Sequence, residues 1–121
     1  MTVWLWLAVA AVGGCGAIIR FVADALVSGR VGRDFPVGTL AINLTGALVL
    51  GLLTGLGARG NLLLLAGTAT IGSYTTFSTW MLESYRLAED GETRPALLNI
   101  AVSMLAGFGV ALIGYAIGAQ L

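Results

Sequence analysis

Gly72-Ser73-Tyr74-Thr75-Thr76-Phe77-Ser78-Thr79-Trp80-Met81-Leu82-Glu83 lies inside an apolar stretch, roughly residues 62–82, that is long enough to cross a bilayer. Gly67, Thr70 and Gly72 lead into five hydroxyl side chains: Ser73, Thr75, Thr76, Ser78 and Thr79. A lipid-facing helix has no use for such a cluster. In hydrocarbon, a broken backbone or a group of hydroxyls survives only where protein or a water-filled path satisfies it. The reading of this stretch therefore decides between a plain span and an interrupted one, and we take it as a span with a break.

Working outward, the chain is 58% hydrophobic and only 10% charged over its 121 residues. A soluble domain carries about 25% charged residues. Three further apolar segments cover roughly residues 3–19, 37–58 and 96–119. Each approaches the ~20 residues that cross ~30 Å of hydrocarbon. The expected fold is an all-α membrane protein, residues 1–121 forming a single domain of four transmembrane helices with the third one broken. The links are short, so sequential helices are antiparallel, and Pro36 and Pro95 are first-turn residues for the second and fourth segments. Four helices offer few walls for a polar path, which points to an oligomer.

The charges narrow the function. Net charge is zero, with six arginines, no lysine and no histidine. That excludes a nucleic-acid binder and removes the usual proton shuttle. No carboxylate pair lies within the membrane segments and Cys15 is the single cysteine, so no catalytic constellation exists and an enzyme is not expected. Val12-Gly13-Gly14-Cys15 loosely matches a lipoprotein cleavage site, but no basic n-region precedes it. Arginines 30, 33, 86 and 94 fall on links one and three, against Arg59 alone on the other side. By the positive-inside rule both termini face outward.

Several residues carry chemistry. Asn43, mid-way along the second segment, is either interhelical glue or a donor to an anion. Arg20 either snorkels, pairs with Asp24 at i+4, or attracts an anion at a vestibule. Gly51/Gly55 and Gly114/Gly118 are small-xxx-small spacings suited to close helix approach. Phe77, Trp80 and Glu83 recur every third residue, giving one stripe on a helix. Aromatic edges carry partial positive charge, so such a stripe lines either a helix contact or an anion path.

Taken together, the motifs resemble the Fluc/CrcB family of small fluoride channels over nearly the whole chain. The resemblance rests on Gly13-Gly14-x-Gly16-x3-Arg20, on Pro36-x-Gly38-Thr39-Leu40-x2-Asn43-Leu44-x-Gly46, on Gly72-x2-Thr75-Thr76-Phe77-Ser78-Thr79-x3-Glu83, and on Leu98-Asn99 ahead of Ser103. It implies a multi-pass channel of the cell membrane for passive fluoride export, built as an antiparallel, dual-topology dimer with two pores. It further implies fluoride contacts from Asn43, Phe77, Trp80, Thr76, Ser78 and Ser103, with Arg20 at the vestibule. Gly72 and Thr75 are implied to give backbone carbonyls to a structural sodium ion between subunits.

Two departures from the family pattern stand out. Trp80 occupies the position of a second pore phenylalanine, and Ser73-Tyr74 replaces a Gly-Leu pair. With the arginine asymmetry, they add to the homodimer a second reading, one conducting or structural half of a paralogous heterodimer. A small multidrug exporter is the competing class, but segment one has no carboxylate before Arg20.

Overall fold

Helix α1 (Val3–Val31) opens at Thr2, whose hydroxyl accepts a hydrogen bond from the Leu5 amide at 3.3 Å. It ends at Gly32, whose φ of 89° suits glycine. The helix runs well past residue 19, because Arg20 to Ser28 contain no breaker and the Ser28 hydroxyl donates to Asp24 at 3.3 Å. Helix α2 (Val37–Gly55) has Pro36 as its N-cap, one position before the first-turn place expected, and it ends short of the expected residue 58. Helix α6 (Thr93–Gly118) holds Pro95 in its first turn, where the missing N–H has no helical acceptor to lose.

These coordinates are a computed structural model that describes every residue except Arg33, and the described residues contain helices and no strand. Arg33, counted above among the arginines of link one, lies outside the described residues. Helices α1, α2 and α6 are long and apolar enough to cross a membrane.

The remaining apolar segment is assembled from pieces. Helix α3 (Gly60–Leu62) passes into a π-helix (Leu63–Ile71), then α4 (Gly72–Tyr74), and after three residues α5 (Ser78–Glu89). The Thr70 hydroxyl donates to the carbonyl of Leu65, five residues back, at 2.7 Å, as the wider π turn requires. At Thr75 the chain turns extended, with φ −79° and ψ 162°.

Packing depends on small residues rather than a large apolar core. A Cβ on Gly51 or Gly55 would strike the carbonyls of Ala111 or Tyr115 on α6. In return, a Cβ on Gly114 or Gly118 would strike the carbonyls of Leu48 or Leu52 on α2. The two glycine pairs seen in the sequence thus face one another and bring α2 and α6 into backbone contact. Gly16 does the same for α1 against the π-helix, where a Cβ would sit 2.5 Å from the Thr70 carbonyl. Fully buried apolar side chains are few, while Trp4, Phe21, Leu105 and Phe108 are exposed. Such a surface is at home in lipid, where exposed hydrocarbon has no hydrophobic penalty.

Candidate functional site

The break between α4 and α5 is held by one side chain from α2. Asn43 Nδ2 donates to the Thr76 carbonyl at 2.9 Å, and the Thr76 amide donates to Asn43 Oδ1 at 2.8 Å. An amide side chain here replaces the helical partners of an irregular peptide, as buried backbone demands. The neighbours of Asn43 on the same face complete the seam. One turn earlier, the buried Thr39 hydroxyl donates to Glu83 Oε1 at 2.9 Å. One turn later, Gly46 leaves room for Thr75, whose methyl occupies the space a Cβ would need. Thr39, Asn43 and Gly46 recur at helical spacing, so one stripe of α2 carries the interrupted segment.

This bonding changes the availability of two carbonyls. In an unbroken α-helix the Thr76 amide would serve Gly72, and the Thr79 amide would serve Thr75. The first goes instead to Asn43, and the second donates to the Thr76 hydroxyl at 3.2 Å. The carbonyls of Gly72 and Thr75 are therefore released from their α-helical donors. Arg20 Nη1 approaches the Thr75 carbonyl at 3.5 Å, so Arg20 reaches the break rather than snorkelling away from it.

Two grooves meet at Asn43 and Trp80. One, of ≈ 460 Å³, is lined by Asn43, Gly72, Thr75, Thr76, Phe77 and Trp80. The other, of ≈ 670 Å³, is lined by Asn43, Thr54, Trp80, Ser103 and Tyr115 together with apolar residues of α2 and α6. Arg20 lines a third cleft with Asp24, Thr39, Thr76 and Thr79, so Thr76 is a wall common to this cleft and the first groove. Ser78 stands apart: it is exposed, lines none of these three clefts, and its hydroxyl is 3.5 Å from that of Thr76.

The aromatic stripe is real but unequal. Phe77 and Trp80 meet edge to face, with ring centroids 5.6 Å apart and planes at 83°. Phe77 is 70% exposed, whereas Trp80 is half-buried and donates its indole N–H to the Asn99 carbonyl at 3.1 Å. Asn99 is almost wholly buried and donates to the Ser84 hydroxyl at 2.8 Å, which in turn donates to the Trp80 carbonyl at 2.9 Å. Sequence reasoning placed Asn99 only as a motif residue ahead of Ser103 and missed this ring of bonds between α5 and α6. The i, i+4 spacing of Trp80 and Ser84 was its one visible sign.

The residues that depart from the family pattern are also accommodated. Ser73 donates to the Ala69 carbonyl at 2.6 Å, and the Tyr74 and Thr45 hydroxyls share a hydrogen bond at 2.8 Å.

The CrcB family, described as CrcB-like protein, Camphor Resistance (CrcB), matches residues 7–115. The chain is 53% identical over 113 residues to the fluoride-specific ion channel FluC 2 of Mycolicibacterium paratuberculosis, covering 93% of each chain. It is 50% identical over 114 residues to FluC 2 of Mycobacterium tuberculosis (strain ATCC 25618 / H37Rv), covering 94% of this chain and 90% of that one. With the fluoride-specific ion channel FluC 1 of Symbiobacterium thermophilum it shares 40% identity over 119 residues, covering 93% and 96% respectively.

Proposed function

The chain belongs to the CrcB-like family, and from that premise we propose that it is a fluoride-specific ion channel of the cell membrane. Its role is passive export of cytoplasmic fluoride; it is a multi-pass channel and not an enzyme. The observation that carries the reading within the molecule is the state of Asn43. Its oxygen and one N–H serve the Thr76 peptide, which leaves one amide N–H on a side chain that lines both grooves. Fluoride is small and strongly hydrated, so its water must be replaced by several moderate donors. The Asn43 amide, the Ser103 hydroxyl and the edges of Phe77 and Trp80 supply this without a full positive charge to trap the ion, with Ser78 joining from its exposed position and Thr76, whose hydroxyl donates to Thr79 Oγ1 at 3.1 Å, forming the wall. Arg20, next to the Thr76 wall, attracts the anion at the vestibule.

In the same reading the third apolar segment is the fourth membrane crossing, broken at Thr75, and two chains pair antiparallel. Phe77 protrudes from the single chain and is covered by the second subunit. The carbonyls of Gly72 and Thr75 suit a structural sodium ion, being hard oxygen donors released from helical bonds. Arg20 shares the Thr75 carbonyl, which has two lone pairs. The ion would supply a positive centre that ties the two breaks together. A paralogous heterodimer is the second form of the reading. It is favoured by relatives named in numbered series, FluC 1 and FluC 2, and by the uneven arginines.

The test is efflux from liposomes reconstituted with this chain alone, followed with fluoride and chloride electrodes. Rapid fluoride release with no chloride release supports the channel. Proton-coupled cation transport in place of fluoride release refutes it. Release only after adding a paralogous chain selects the heterodimer.

A further inference from the structure

Several hydroxyls on these helices or at their ends follow a common habit. Thr45, Thr54, Ser73, Thr75 and Ser84 each donate to the carbonyl four residues back: Ala41, Leu50, Ala69, Ile71 and Trp80 respectively. This back-bonding is the ordinary local solution for a hydroxyl on a helix that lacks water. Ser103 breaks the habit. Its Oγ is sealed from solvent, and within the chain it has no hydrogen-bond partner among the described residues. The carbonyl four residues back belongs to Asn99, and that oxygen accepts the indole N–H of Trp80 at 3.1 Å.

We infer that Trp80 is a positioning residue for Ser103: by taking the Asn99 carbonyl, its indole releases the Ser103 hydroxyl to donate to the permeating anion. The inference rests on the fluoride-channel reading and gives Trp80 a second role besides its ring edge. A buried hydroxyl with no partner costs free energy, so the arrangement persists because something absent from the isolated chain completes it. Ser103 lines the groove whose other polar members are Asn43, Thr54, Trp80 and Tyr115, and rotation about its Cα–Cβ bond carries the unbonded hydroxyl to an anion there. The indole is itself held in place. The Trp80 carbonyl accepts from Ser84, and Ser84 accepts from the buried Asn99 amide, so α5 and α6 are joined at both ends of the tryptophan. A phenylalanine at position 80 has an edge but no N–H. It would leave the Asn99 carbonyl to Ser103, whose hydroxyl would then turn back onto its own helix.

Two measurements test this. The first is a double-mutant cycle on fluoride efflux with Trp80→Phe, Ser103→Ala and both together. Ser103→Ala alone should slow efflux by about tenfold, the weight of a hydrogen bond to a charged group. Trp80→Phe should fall to the same level, and adding Ser103→Ala to it should change nothing further. Equal slowing by Ser103→Ala in both backgrounds overturns the inference. The second is hydrogen exchange at the indole N–H groups of the intact protein, read by nitrogen-labelled tryptophan NMR in detergent. The Trp80 indole should be protected from exchange. Free exchange at Trp80 overturns the inference even if the variants fail to fold. Absence of fluoride efflux from the unmutated chain with a protected Trp80 indole refutes the lone-chain channel, and the hydrogen-bond arrangement then stands by itself.

Discussion

Asn43 is the residue on which structure and function converge. It was legible as a polar side chain in a membrane segment, but its two readings, glue and donor, could not be separated there. The structure shows the glue, since Thr76 takes two of its four bonding positions, and the donor role is the one proposed for the N–H that remains. Asn43→Asp should abolish fluoride efflux, because a carboxylate loses the donor to Thr76 and repels an anion. Unchanged efflux would remove Asn43 from the path. Asn43→Ala should also lower the midpoint of thermal unfolding in detergent. It strands the Thr76 N–H and carbonyl, each worth about 1–3 kcal/mol when buried and unpaired. Trp80 shows the opposite case. It departs from the phenylalanine that the family pattern implies, and in the structure its N–H has a defined acceptor and its ring packs on Phe77.

At the level of elements, the paired glycines of α2 and α6 were readable from spacing alone, because a helix repeats its faces at fixed intervals. What spacing could not give is which helices meet. A side chain at Gly114 collides with the backbone of Leu48, whereas at Gly109 nothing lies within 4 Å. Gly114→Val should therefore destabilise the chain by about 1–3 kcal/mol or more through overpacking. Gly109→Ala should be neutral or raise the unfolding midpoint, by up to about 1 kcal/mol of helix propensity. Thermal melts of the two variants in the same detergent separate these expectations, and equal effects would argue against the α2–α6 contact. The length of α1 was underestimated from the sequence. A hydropathy reading stops at Arg20, but a helix continues wherever its backbone has no breaker, whatever its side chains meet outside.

For the molecule as a whole, most of the apolar surface lies on the outside, and the polar groups converge on the break. That distribution is what lipid requires of a protein with a path through it. If Gly72 and Thr75 hold sodium between two chains, the unfolding midpoint of the dimer should rise with sodium concentration and saturate. The gain follows the mass-action form RT ln(1 + [L]/Kd). Replacing sodium by a large organic cation should remove the gain. A midpoint indifferent to sodium would leave those carbonyls to Arg20 and to water.

The sequence by itself determined that this chain is helical and membrane-bound. Those properties follow from local composition, since the bilayer penalises each exposed polar group where it stands. It also carried the motifs that mark the family. Only the tertiary structure decided which donor serves which acceptor: Asn43 with Thr76, Thr39 with Glu83, Trp80 with Asn99, and Ser103 with none among the described residues. A hydrogen bond depends on distances of a few ångströms between residues far apart along the chain. No periodicity within one segment records how the segments lie against each other.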